Sequence, residues 1–157
     1  MSVAAKRLLI VAHAPSPNTE ALLQAVTAGA CGPEVSSVDV EAISPFAATP
    51  AHVCAADAII LGTTENLGYM SGALKDFFDR CYYPCLEKTQ GLPYASYIRA
   101  GNDGAGAQRS IERVVTGLRW RSVQEPLICR GPWREDFLAQ ARDLGLLIAA
   151  GLEAGVF

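Results

Sequence analysis

The sequence has 157 residues, 50% of them hydrophobic, and a formal net charge of -3. That length suits one domain, residues 1–157, with a sizeable core. A sequence pI of about 5.3 leaves no electrostatic footprint for nucleic acid or an anionic membrane surface.

Lys6 and Arg7 precede the apolar run 8–12, but His13 and Pro15 cut that run short of a secretion signal. The run reads as a central parallel strand, apolar throughout because helices cover both its faces. A polar loop, 13–19, follows and feeds a helical pattern over 20–26. The first N–H groups of a helix have no internal partners, and its dipole puts partial positive charge there, so such an end is an anion site. Ser16, Asn18 and Thr19 add side-chain donors. With no Lys or Arg between Ala12 and Val26, a phosphate there would be held by dipoles and hydrogen bonds alone. The plainer reading makes the same residues a helix cap and turn. His13 either touches such a ligand or simply hydrogen-bonds the loop backbone.

Residues 34–41 alternate enough to be a second strand near a sheet edge. Residues 42–54, with Pro45 and Pro50, read as a loop with one or two short helical turns. The next apolar strand is 56–62, followed by a loop, Thr63-Thr64-Glu65-Asn66-Leu67-Gly68-Tyr69-Met70. Ser71 then caps an amphipathic helix with Leu74, Phe77, Phe78 and Cys81 on one face, which Pro84 ends or bends. A fourth strand is expected at 94–99. A second flexible loop, Gly101-Asn102-Asp103-Gly104-Ala105-Gly106, opens a helix over 107–116 that Gly117 closes. A fifth strand falls somewhere in 121–129, and a last helix in 135–150. The apolar tail 144–152 is too short to span a bilayer, so a cytoplasmic protein is expected.

Five cysteines at irregular spacing, with no Cys-x-x-Cys, give no disulfide framework or zinc pattern. Lying in or beside apolar runs, they read as buried free thiols. Cys81 and Cys85 have a sharper alternative, a redox pair or half a metal site, but no His or acid completes a ligand set. Trp120 and Trp133 read as packing or interface residues.

Strands alternating with helices at this spacing imply an α/β fold, a doubly wound parallel sheet with helices on both faces. Ligands bind such sheets at the carboxyl ends of the strands. Three loops belong there: 14–19, 63–70 and 101–106.

At these loops the chain resembles the flavodoxin-like superfamily, in particular the small NAD(P)H-dependent FMN reductases and their flavodoxin relatives. Ser16-Pro17-Asn18-Thr19 is similar to that superfamily's hydroxyl-Gly-Asn-Thr phosphate loop. The segment Gly62-Thr63-Thr64-Glu65-Asn66-Leu67-Gly68-Tyr69-Met70-Ser71-Gly72, followed by Leu74-Lys75-Asp76-Phe77-Phe78-Asp79-Arg80, resembles its flavin loop and the helix after it. Gly101-Asn102-Asp103-Gly104 occupies the position of its Gly-rich ring loop. Two departures stand out: Pro17 replaces Gly and removes a backbone N–H, and Ala14 replaces a frequent Ser.

The resemblance implies a five-stranded sheet of order 2-1-3-4-5 and an FMN cofactor, its phosphate on Ser16, Asn18 and Thr19. It wedges the ring between the second and third loops. Thr63, Asn66 and Gly68 would offer backbone N–H groups to the ring. Thr64, Glu65 and Leu67 complete that loop, and Gly68 lets the peptide change orientation. Tyr69 would lie flat against the ring, and Gly101, Asn102, Asp103 and Gly104 would hold its pyrimidine edge. The activity implied is hydride transfer from NAD(P)H through the flavin to a quinone, free flavin or other small acceptor, with no catalytic side chain assigned and with a homodimer as one arrangement. The rivals are a flavodoxin-type electron carrier, from which the mild acidity departs, and a cofactor-free binding module, which Pro17 keeps open. A Rossmann domain, with Asp39 as its ribose acid at the end of strand two, lacks the Gly-x-Gly-x-x-Gly. A phosphate-accepting receiver lacks acids at His13 and Thr63.

Overall fold

The computed structural model describes residues 4–157. Its elements in chain order are β1 (Lys6–Ala12), α1 (Pro17–Ala30), β2 (Val38–Ile43), α2 (Pro50–Ala55), β3 (Ala58–Asn66), β4 (Tyr69–Met70), α3 (Gly72–Cys85), β5 (Pro93–Ala100), α4 (Ala105–Leu118), β6 (Arg121–Ser122), β7 (Leu127–Arg130) and α5 (Asp136–Glu153). The sheet runs β2-β1-β3-β5-β6, with β7 also on β5 and β4 folded back on β3. Strand β6 pairs with the start of β5 (Pro93↔Arg121) and β7 with its end (Tyr97↔Leu127), both parallel. They are successive pieces of one lane, interrupted at Gln124-Glu125-Pro126, where the proline has no N–H to give a ladder. Counted by lane, the parallel order is 2-1-3-4-5, the expected flavodoxin-like arrangement.

Strand β1 explains why its sequence is apolar throughout. Leu9 and Val11 enter a core shared with α2, α3 and α4, alongside Val53, Leu74, Phe77 and Ile111. Leu8 and Ile10 face the other side, against Leu22 and Val26 of α1 and Leu144 and Ile148 of α5. On that side α1 and α5 touch backbone to backbone. A Cβ on Gly29 would lie 1.9 Å from Arg142 O, and one on Gly145 would lie 1.9 Å from Val26 O.

Several boundaries differ from the sequence reading. Residues 34–37 are not strand, because Glu153 Oε1 accepts the backbone N–H groups of Ser36 and Ser37, each at 2.9 Å. Strand β2 therefore starts at Val38, and Asp39 sits near its amino end opposite Arg7, away from the edge where a ribose acid would be needed. Strand β3 continues past Gly62 to Asn66. Pro84 lies inside α3, which ends one residue later. Gly117 does not close α4. It lies inside it, where a Cβ would meet Tyr82 Oη at 2.3 Å, and the left-handed cap is Arg119 (φ 59°).

Cys81, Cys85 and Cys129 are buried, but Cys31 and Cys54 are exposed, which corrects the reading of five buried thiols. Burial, with Cys54 close by, pushes the Cys85 thiol up to about 12. Among the described residues no group of three or more His, Cys, Asp or Glu is placed to hold a metal. Among them, too, no helix is long and apolar enough to cross a membrane. Trp120 packs in the core between Phe78 and Tyr94, with centroids 6.2 and 6.4 Å away. Trp133 packs edge-on against Phe137 at 5.6 Å.

Candidate functional site

Strands β1, β3 and β5 are parallel neighbours, so the segments that leave their carboxyl ends emerge along one edge of the sheet.

The first segment is held closed by its own hydroxyls. Ser16 N donates to Thr19 Oγ1 at 2.9 Å, Thr19 N donates to Ser16 Oγ at 3.2 Å, and the two side chains lie 2.9 Å apart. This capping box satisfies two groups at the start of α1 reciprocally, and Pro17 sits in its first turn. Asn18 is exposed, whereas Thr19 is buried. His13 N donates to Gly62 O at 3.0 Å, tying this segment to β3. Burial lowers the His13 pKa, so the imidazole is neutral at pH 7 and adds no fixed charge.

The second segment is not a loop but the end of β3 turned into a hairpin. Glu65 pairs with Met70 and Asn66 with Tyr69. The two residues between them, Leu67 and Gly68, have φ of 54° and 71°, the consecutive left-handed pair that a two-residue I′ hairpin requires. Gly adopts this freely, while Leu67 does so at a cost of order 1 kcal/mol and stands fully exposed. Thr63 is buried, its hydroxyl donating to Thr64 O at 2.8 Å and accepting from Ser71 N at 2.9 Å. It braces the hairpin against the start of α3.

The third segment meets the second. Glu65 Oε2 accepts from Ala107 N at 3.4 Å, in the first turn of α4. Ser110 Oγ accepts from Met70 N at 3.0 Å and donates to Ala107 O at 2.8 Å. A Cβ on Gly106 would lie 1.9 Å from Gly68 O, so glycine at 106 is what lets the hairpin lie against α4. Gly101 and Asn102 are exposed. Asp103 Oδ1 accepts from Ala105 N at 3.0 Å, so its carboxylate caps α4. Gly104 has φ of 73° and leaves room for Ile128, whose Cγ2 would be 2.6 Å from a Cβ there.

Among the described residues, three buried side-chain atoms have no hydrogen-bond partner: His13 Nδ1, Thr64 Oγ1 and Tyr97 Oη. His13 and Thr64 belong to the first and second segments. Tyr97 lies across Gly62, where a Cβ would fall 2.4 Å from its ring, and burial pushes its phenol pKa up. Ser110 and Tyr97 were not singled out in the sequence. Ser110 carried no signal beyond its place on a helix. Tyr97 read as an ordinary strand aromatic.

The second and third segments are thus in direct contact, and the first joins the second through His13 and Gly62. Among the described residues, no hydrogen bond or ion pair links the side chains of Ser16, Asn18 or Thr19 to the other two segments.

A sequence model described as NADPH-dependent FMN reductase matches residues 8–129. The chain belongs to that family. The solved structures similar to it agree on the fold. A flavodoxin from the domain Archaea is 21% identical, with a TM-score of 0.76 over 93% of this chain and 98% of that one. A flavodoxin, WrbA-like protein from Agrobacterium tumefaciens is 18% identical, with a TM-score of 0.67 over 96% of this chain and 99% of that one. The flavodiiron protein from Giardia intestinalis is 13% identical, with a TM-score of 0.79, and there the chain spans 96% of its own length but 37% of the other. No curated protein matches the sequence. The family and the fold are those that the three sequence segments led us to expect.

Proposed function

We propose that the protein binds FMN along this edge and acts as an oxidoreductase, taking hydride from NAD(P)H and passing electrons to a quinone, free flavin or another small acceptor. The observation that carries the reading is the contact of the Gly68 hairpin with the start of α4, which brings two of the three segments together beside the unpartnered Thr64 Oγ1. Orphaned polar atoms in a buried setting call for a ligand or water, and His13 Nδ1 and Thr64 Oγ1 border the segments in question. These residues suit the group.

In this reading residues 63–69 and 101–104 border the ring. Thr63 and Ser110 fix the hairpin, so its exposed backbone meets the ring already oriented. Ser16, Asn18 and Thr19 hold the phosphate, helped by the α1 dipole. For that, the Ser16 and Thr19 hydroxyls must turn from each other towards the ligand, because Pro17 contributes no N–H. The flavin, when bound, supplies the electron chemistry. The protein orients donor and acceptor and needs no acid or base of its own. One observation favours the carrier alternative: Leu67 stands fully exposed at the hairpin tip, an apolar contact for a redox partner.

Titration of the purified protein with FMN tests the reading. We expect quenching of flavin fluorescence with one-to-one stoichiometry, then rapid NADPH oxidation once a quinone is added. Flavin uptake without NADPH turnover would leave the carrier reading in place. Failure to take up FMN would leave the binding module.

A further inference from the structure

Three of the five thiols gather where α2 meets α3. Cys81 and Cys85 line the α3 side, in the core that also holds Val53 of α2. Cys54, the next residue of α2, is exposed and stands beside Cys85. Cys85 Sγ lies 3.9 Å from Pro50 O. Pro50 opens α2 one helical turn before Cys54, so Cys85 faces the strip of α2 from which Cys54 projects. The other two thiols belong to the opposite layer. Cys129 is buried among α1 and α5 side chains, and Cys31 follows α1.

The spacing of Cys81 and Cys85 in the sequence suggests a redox pair, but geometry favours a different partner. Residues four apart on a helix hold their Cβ atoms about 5–6 Å apart, beyond the roughly 3.5–4.5 Å of a disulfide. Those two could join only by unwinding α3. Cys54 and Cys85 sit on separate elements, next to the end of α2 and at the end of α3. Helix ends are where a small displacement costs least. Burial also separates their roles. The Cys85 thiol, pushed up to about 12, stays protonated near neutral pH and inert to reagents in solution, whereas Cys54 meets solvent directly.

We propose that Cys54 is a site of oxidation by small hydroperoxides and that Cys85 resolves it, forming a disulfide between α2 and α3. In the first step the Cys54 thiolate attacks an oxygen of the hydroperoxide. The O–O bond breaks, and Cys54 becomes a sulfenic acid. The leaving alkoxide or hydroxide takes up the proton that Cys54 gave to solvent. In the second step the Cys85 sulfur attacks the Cys54 sulfur. The S–O bond breaks, and the Cys85 proton leaves with the hydroxide as water. Two thiols are oxidised and one hydroperoxide is reduced to an alcohol or water. The bridge stops Cys54 short of the irreversible sulfinic stage. None of this needs a bound flavin, so the proposal stands apart from the oxidoreductase reading.

The test treats dilute, reduced protein with hydrogen peroxide, removes the peroxide with catalase, alkylates in denaturant and maps the peptides by mass. Wild type should yield one cross-linked pair, Cys54 to Cys85, which dithiothreitol reverses. Cys31, exposed but in the other layer, should instead proceed to sulfinic acid and serve as the internal contrast. Cys81→Ser should still form the bridge. Cys85→Ser should form none, and its Cys54 should share the fate of Cys31. Persistence of a free Cys54 thiol where Cys31 is oxidised, a bridge from Cys54 to any other cysteine, or sulfinic acid at Cys54 in wild type overturns the proposal. The wild-type map decides the matter even if Cys85→Ser fails to fold.

Discussion

In the proposed reading, Pro17 governs how the first segment would meet a phosphate. It suits the first turn of α1, where a missing N–H costs the helix nothing, but it would leave one donor fewer for that phosphate. Replacing it with glycine restores that donor at some cost in helix stability. Pro17→Gly is expected to tighten FMN binding about fivefold, a single neutral hydrogen bond's worth, as read by fluorescence quenching. Glu153 shows a different use of local donors. Hydrogen bonds from Ser36 and Ser37 hold its carboxyl down at about 2, below the ordinary 4.5. A depressed carboxylate stabilises the folded state above its unfolded pKa, and that contribution is lost as pH falls through the folded one. Glu153→Gln should therefore melt below wild type at pH 7, with the gap closing as pH drops from about 4.5 to about 2. Not all of this was visible in the sequence. Ser16, Asn18 and Thr19 announced a helix start, and one exists there. The partnership of Ser36 and Ser37 with Glu153 links residues more than a hundred positions apart, and no local pattern encodes it.

At the scale of elements, the hairpin and α4 form a unit whose fit depends on Gly106. Gly106→Ala sets a methyl against Gly68 O. We expect FMN affinity to fall by about tenfold, with a loss of about 1–3 kcal/mol in stability from the displaced hairpin, measured by titration and urea unfolding. The elements themselves were legible where pattern and punctuation agreed. Ser71 caps α3 as expected, its Oγ accepting from Leu74 N at 3.2 Å, and Leu74, Phe77 and Phe78 are buried. The hairpin was hidden because Leu67 occupies a left-handed position that normally advertises itself with Asn-Gly. The last sheet lane was blurred because Pro126 divides it into two short pieces, neither long enough to show a period.

For the molecule as a whole, the two core layers leave two kinds of thiol. Cys31 and Cys54 are exposed, while Cys81, Cys85 and Cys129 are buried, and burial pushes Cys129 up to about 11. Because the thiolate is the reactive form, a disulfide reagent at pH 8 should titrate two thiols rapidly in the native protein. The remaining three should respond only after denaturant is added. The global arrangement was the most readable part of the chain, since apolar runs alternating with helical faces leave few topologies open. Readability stopped where segments distant in the chain meet, as with Ser110 on the hairpin.

The glycine crossing of α1 and α5 carries one more consequence. At Gly29 and Gly145 main chain rests on main chain with no side chain between, so the two helices are held close there and resist sliding past each other. The start of α1 is therefore a fixed anvil. In the proposed reading, a phosphate at that end would be met by rearranging only the side chains of Ser16, Asn18 and Thr19.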